Sequence, residues 1–408
     1  MPRSSPLATL LAAVILLGLG TRAPAQDRIA PDNDNSGPRQ VILIIGDGMD
    51  EQQVTIARNY LKGASGRLLL DEMPVRSNSQ ILTLEDRVGG GPVYVADSAN
   101  TATSMATGEI TSRGRISTSP GSDRPLTTIV ELAETAGYRT GIVSTASVTD
   151  ATPAAFATRI NYRLCENPTR MERVVYRDIE LGSCAQHMKA RGGAGSISEQ
   201  LAESGLDVIL GGGSEHFAPA VEGGEQSVRQ LAENRGFQVV ANTAELAAAD
   251  PDRRLLGLFS PGTMPVRLQG EGGRTAESPE PSLLNHVHEY LGEVALPEPM
   301  GCEPHPDFAA VPDLKTMTDA ALDYLARDND RGFFLMIESA SIDKQSHERK
   351  PCGSIGELEQ LEEALHSALT FAESHPYTLV LVTADHSQAA QMIPHESLYA
   401  SFPIPIYT

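Results

Sequence analysis

The chain has 408 residues and a formal net charge of −21 at pH 7. That length can bury a large core, in one big α/β domain or two ordinary ones. The acidity disfavours nucleic acid and anionic membranes as partners. It would also repel an anionic substrate unless a local positive centre, such as a bound divalent metal, overrides the field.

At the N-terminus Arg3 precedes the apolar run LATLLAAVILLGLG and then Ala23-Pro24-Ala25. The run is too short for a bilayer, which takes about 20 residues, and the small-x-small triplet is a cleavage signal. The reading is a secretory signal peptide over 1–25 cut after Ala25, a polar flexible leader over 26–38, and a folded domain over 39–408. No later run is long and apolar enough to span a membrane, so a soluble protein, periplasmic or secreted, is expected. Five near-continuous hydrophobic runs follow in chain order: QVILIIGDG (Gln40–Gly48), RTGIVST (Arg139–Thr145), DVILGGG (Asp207–Gly213), FFLMIES (Phe333–Ser339) and TLVLVTADH (Thr378–His386). Strands buried on both faces read this way. Between them, PLTTIVELAETAG (Pro125–Gly137) sets Leu126, Ile129, Val130 and Ala133 on one helical face. ELEQLEEALHSALTF (Glu357–Phe371) does the same with Leu358, Leu361, Leu365 and Leu369. The alternation predicts an α/β three-layer sandwich around a large, mostly parallel sheet. The Pro- and Gly-rich stretch from 261 to 312 reads as a surface excursion.

Four cysteines suit an oxidising compartment, and three pairings are possible. Cys165 with Cys184 would close a polar excursion, and Cys302 with Cys352 would tie the Pro-rich stretch to the segment after FFLMIES. That segment poses a question of its own, because the apolar run breaks into Glu338, Asp343, Lys344 and His347 within ten residues. In open α/β sheets ligands gather at the carboxyl ends of strands. The polar residues there are Asp47, Asp150, Thr152, Glu338, Asp385 and His386. Asp343 and His347, four apart, would share one face of a helical turn. Mixed carboxylate and imidazole ligation suits zinc, whereas oxygen ligation by Asp47, Thr152 and Glu338 suits magnesium. Taken singly each has a plainer explanation, since Gly-Asp-Gly is often a turn and an Asp-His pair can cap a helix. Together they support one another. Ser98, opening a run of small residues, offers a nucleophile at a helix N-terminus, or an ordinary N-cap. Arg163 offers a fork that suits phosphate.

The motifs LIIGDGM, YVADSANTATSMATG, STASVTDATPAAFATRINYRLC, GLFSPGTMPVR, FFLMIESASIDKQSHERKPCGSIGE and LVLVTADHSQA resemble, in that order, those of bacterial alkaline phosphatases. The resemblance spans about Val41 to Ile393 and implies an exported phosphomonoesterase working through a phosphoserine at Ser98, with Arg163 clamping phosphate. It implies one zinc on Asp343 and His347, a second on Asp47, Asp385 and His386, and a magnesium on Asp47, Thr152 and Glu338 with Asp150 behind it. Lys344 would approach phosphate through water, as in the enterobacterial type. The resemblance also implies the Cys165–Cys184 and Cys302–Cys352 pairing and a homodimer acting on small phosphate monoesters. The family carries a further histidine on the Asp343/His347 zinc, usually near GxHT, and this sequence has no such motif after His386. His395, in IPHES, comes too soon and in another context. The expectation is therefore a catalytic domain over 39–408 truncated at its C-terminus, with one zinc site incomplete. The alternative is a non-catalytic phosphate-binding pseudoenzyme or an inactive fragment, owing to loss of the last zinc-ligand histidine.

Overall fold

The computed structural model describes residues 37–176, 178–288 and 291–388, so the signal peptide, most of the leader and His395 lie outside the described residues. Seven strands form the central sheet: β1 (Gln40–Gly46), β2 (Arg139–Ser147), β3 (Val208–Gly212), β4 (Phe237–Val240), β5 (Arg254–Leu258), β6 (Phe333–Ser339) and β7 (Thr378–Ala384). Their order is β7-β1-β6-β2-β3-β5-β4, and every neighbouring pair is parallel. The expected three-layer sandwich is what the chain forms. Among its described residues the Pro- and Gly-rich stretch contributes a short antiparallel ladder, Leu268–Gly270 with Cys302–Pro304, and short helical turns such as Leu283–Val287.

Parallel strands need crossover connections, and helices supply them on both faces. One layer holds α2 (Ser98–Thr107), α3 (Ile129–Thr135), α4 (Ala151–Ala157), α5 (Ile197–Glu203) and α6 (Val228–Asn234). The other holds α1 (Glu51–Lys62), α7 (Leu314–Ala326) and α9 (Pro351–Ser374), while α8 (Ser341–His347) follows β6 directly. Alternation along the strands divides the core accordingly. Ile45, Ile142, Ile209 and Met336 pack with the small residues of α2 and α4. Ile44, Val143, Leu210, Leu335 and Ile337 pack against α7 and α9. Each such side chain, fully buried, is worth about 1.5–3 kcal/mol.

Two disulfides join Cys165 to Cys184 and Cys302 to Cys352, the pairing preferred from the sequence. The register β7-β1-β6-β2 brings Ala384, Gly46 and Ser339 level, with Glu338 level with Ser144 of β2. The carboxyl ends of four strands therefore open on one shared edge.

Candidate active site

β1 ends in Gly46-Asp47-Gly48, and the Asp47 N–H donates to the Ser339 carbonyl at 3.1 Å, fastening this end to β6. Gly48 turns with φ +65, and a Cβ there would stand 3.0 Å from Asp343 Oδ1. Only glycine lets the turn pass so close to α8. Asp385, just past β7, is fully buried. It accepts from the Gly48 N–H at 3.0 Å, the His386 N–H at 2.8 Å and the Thr101 hydroxyl at 3.2 Å. The Ser98 hydroxyl lies 3.3 Å from both Asp47 oxygens and 3.2 Å from His386 Nε2. His386 Nε2 is in turn 3.4 Å from Asp47 Oδ1 and 3.5 Å from Asp385 Oδ2.

Ser98 is the first helical residue of α2 and not its cap. Asp97 is the cap, accepting from the Asn100 N–H at 3.1 Å while the Asn100 side chain accepts from the Asp97 N–H at 2.8 Å. This reciprocal box satisfies two of the helix's unpaired donors and leaves the Ser98 hydroxyl free to face Asp47.

A second cluster adjoins the first. Arg163 donates through Nη1 to Asp97 Oδ2 at 3.3 Å and through Nη2 to Asp150 Oδ1 at 2.9 Å. Lys344, from α8, pairs with the other Asp150 oxygen. Burial works to raise the Asp150 carboxyl, but Lys344 and Arg163 outweigh it and hold the group well below the usual carboxylate range. Burial works to lower Arg163 and Lys344, and Asp150 reverses that for both. The cations are held charged and aimed by paired carboxylates.

In the third group, among the described residues, no lysine or arginine stands at ion-pair distance, and Lys344 acts on Glu338 and Asp47 only from further off. Glu338, 1 % exposed, accepts from the Ser144 hydroxyl at 2.5 Å. Burial pushes its carboxyl up to about 7, and the charge of Asp150 adds to the push. The Thr152 hydroxyl is buried and meets no partner at hydrogen-bonding geometry, although it lies near enough to favour the charged form of Glu338. Asp47 is pushed well above the carboxylate range, first by burial and then by Asp385, Asp343 and Glu338. Asp343 lies 3.4 Å from His347 Nε2 across one turn of α8 and also accepts from the Gln388 amide.

Four buried carboxylates, two of them, Asp47 and Glu338, raised by burial and neighbouring acids, lie beside an orphaned hydroxyl and form a donor set that a cation would satisfy. Asp47, Asp385 and His386 each offer an atom within 4.8 Å of the others. Two oxygens and an imidazole suit zinc, and the oxygen set of Asp47, Thr152 and Glu338 suits magnesium. The residues present fit both ions.

The alkaline phosphatase family model matches residues 38–400. The chain belongs to the alkaline phosphatase family. A streptomycin-6-phosphate phosphatase from Streptomyces griseus is 42% identical over 381 residues, which is 89% of this chain and 77% of that protein. The alkaline phosphatase of Escherichia coli K12 is 39% identical over 386 residues, 92% of this chain and 76% of that one. Among solved structures, a cold-active alkaline phosphatase from Shewanella sp. shares the fold with a TM-score of 0.60 at 24% identity, covering 86% of this chain and 68% of that one. The enzyme of the Antarctic bacterium TAB5 does so with a TM-score of 0.59 at 24% identity, covering 87% and 80%. These likenesses put the chain in the phosphatase enzyme class.

Of the residues singled out from the sequence, Asp47, Ser98, Asp385 and His386 converge, and Asp150, Arg163 and Lys344 form the adjoining cluster. Glu338 faces Thr152, and Asp343 pairs with His347, whose ring stays largely exposed. Sequence reasoning missed Asp97, Ser144, Thr101 and Gln388, which hold Arg163, Glu338, Asp385 and Asp343 respectively. Only Asp97 left a usable signal, the Asp-Ser-Ala-Asn capping spacing just before the run of small residues.

Proposed function

We propose that the chain is an exported phosphomonoesterase that transfers the phosphoryl group of its substrate to Ser98 and then to water. The observation that carries the reading is the Ser98 hydroxyl, 5 % exposed, aimed at Asp47 and His386 with an oriented arginine fork beside it. Asp47, Asp385 and His386 would hold one zinc, Asp343 and His347 another, and Asp47, Thr152 and Glu338 a magnesium. When bound, such ions stabilise charge on the attacking and leaving oxygens of an in-line displacement.

The chain's own residues do the rest. Ser98 Oγ, at the positive end of α2, attacks phosphorus as its proton passes to water. The bond from phosphorus to the leaving oxygen breaks, and that oxygen takes a proton from water and leaves as an alcohol. Arg163 offers two parallel donors to the phosphoryl oxygens, held in plane by Asp97 and Asp150. Lys344 adds charge from the other side of Asp150. Water then attacks the phosphoserine, the P–Oγ bond breaks, and inorganic phosphate departs with Ser98 restored. Two in-line displacements give net retention at phosphorus.

Export agrees with the two disulfides. Among the described residues no helix is long and apolar enough to cross a membrane. A homodimer is part of the proposal, on the resemblance of the motifs. The test is hydrolysis of p-nitrophenyl phosphate at alkaline pH across a zinc titration, with Ser98→Ala alongside. Turnover should fall by roughly 10³-fold or more in that variant, and labelled phosphate should remain on the wild-type chain alone. Equal turnover in a folded Ser98→Ala protein would sink the reading.

A further inference from the structure

α9 carries a carboxyl that the proposed reaction does not use. Glu357 is 1 % exposed. Its Oε2 accepts from the Thr145 hydroxyl at 2.9 Å and the Ser339 hydroxyl at 3.2 Å, and its Oε1 accepts from the Gln360 amide at 2.6 Å. The Ser339 hydroxyl also reaches the Glu357 carbonyl at 2.9 Å, and the Ser341 N–H bonds to the carboxylate. Thr145 Oγ1 accepts from the Ala340 N–H at 2.9 Å. One carboxylate of an outer-layer helix thus ties β2 to the turn 339–341 that leaves β6.

Those two segments carry most of the candidate site. Glu338 immediately precedes the clamped turn, Asp343 and His347 follow it, and Asp150 and Thr152 follow β2. Ser144, next to Thr145, holds Glu338 itself. Among the described residues no cation stands at ion-pair distance from Glu357, so it is not there to neutralise a buried charge. An amide of the same shape would fill the space without the cost of burying a carboxylate. A carboxylate does what an amide cannot, since it accepts from every donor around it at once.

From this we infer that Glu357 is a positioning residue that sets Glu338 and Thr152 for magnesium. The inference rests on the functional reading above. Without the shared acceptor the Thr145 and Ser339 hydroxyls and the Ser341 N–H lose their common anchor. The turn 339–341 can then shift against β2, carrying Glu338 with it. Outer-shell partners of this kind change metal affinity by about 10- to 100-fold when altered.

The experiment is a magnesium titration of Glu357→Gln and wild type at fixed zinc, read by the rise in melting temperature and, in parallel, by p-nitrophenyl phosphate hydrolysis. In Glu357→Gln both midpoints should move to about 10- to 100-fold higher magnesium, with KM unchanged and kcat recovered at saturating magnesium. A midpoint equal to wild type, even with a lower melting temperature, would make Glu357 a purely structural residue and overturn the inference. If circular dichroism shows Glu357→Gln misfolded, Thr145→Val, which deletes the hydroxyl between Glu357 and Ala340, is read by the same criteria. A wild-type chain with no magnesium response would overturn the metal reading together with this inference. A responding wild type with unshifted variants would overturn only the role of Glu357.

Discussion

Burying Glu357 costs stability, and the sign of that cost can be measured apart from any metal. Burial pushes its carboxyl up to about 7, against the Thr145 and Ser339 hydroxyls and the Ser341 N–H, which favour the charged form. The ordinary glutamate value is near 4.5. Between those values the unfolded chain has released the proton while the folded chain still holds it. Folding therefore takes up a proton, and stability falls as pH rises through the window. Above about pH 7 both states are ionised and the penalty stays constant. Glutamine has no such proton, so in chelator-treated protein the stability of Glu357→Gln relative to wild type should climb from pH 4.5 to 7 and then level. Chemical denaturation at a series of pH values checks it, and a difference flat with pH would mean that the carboxyl is already ionised at the low end. The pH-dependent part of the difference thus favours the variant at neutral pH, even as it loses magnesium affinity. A residue kept at the expense of stability is a mark of function. The same physics explains why Glu357 was illegible in the sequence, where it reads as the polar start of an amphipathic helix. Nothing in the spacing tells that its side chain turns inward to Thr145.

Elements were legible where their pattern was strong. The five continuous apolar runs are β1, β2, β3, β6 and β7, because a strand covered on both faces leaves no polar position to interrupt it. β4 and β5 escaped for a related reason. FQVV is short and only partly covered at the sheet edge, and RLLGL carries a glycine and an arginine that blur the run. Helix limits moved to their caps. α3 begins at Ile129, not Pro125, because Thr128 accepts from the Glu131 N–H. α9 begins at Pro351, six residues before Glu357 where its periodic run starts, because proline tolerates the first helical turn. The ligand candidates were legible because they end strands. Their supports, Ser144 and Gln388, sit at positions with no pattern. The early start of α9 also places Cys352 in its first turn, bridged to Cys302 across 50 residues, whereas Cys165 and Cys184 close only 19. Loop-closure entropy values these bridges at about 4 and about 3 kcal/mol. Replacing Cys302 and Cys352 by serine should therefore lower the unfolding free energy more than replacing Cys165 and Cys184. Guanidinium unfolding compares the pairs, and the reverse order would mean that local ordering of the 165–184 excursion outweighs loop length.

At the scale of the whole molecule, charge and site pull against each other. The chain carries 53 acidic against 32 basic side chains, yet its proposed substrate is an anion. The two cations of the site, Arg163 and Lys344, do little to reverse the distant field. Arg163 is paired with Asp97 and Asp150, and Lys344 with Asp150, so each acts at contact range. An approaching phosphate ester therefore meets repulsion far out and attraction only close in. Salt screens the first much more than the second, because the Debye length shrinks from about 30 Å at 0.01 M to about 10 Å at 0.1 M while the contact pairs lie within a few ångströms. kcat/KM for a phosphate monoester should accordingly rise over that range, with kcat itself little changed, since the repulsion acts on encounter and not on the bound complex. Steady-state kinetics with an inert monovalent salt at fixed pH and fixed metal would measure it. A falling kcat/KM would mean that positive charge at the site, bound cations included, dominates the approach. In that event bound cations outweigh the site's own carboxylates, and the field around the site is steering its substrate inward.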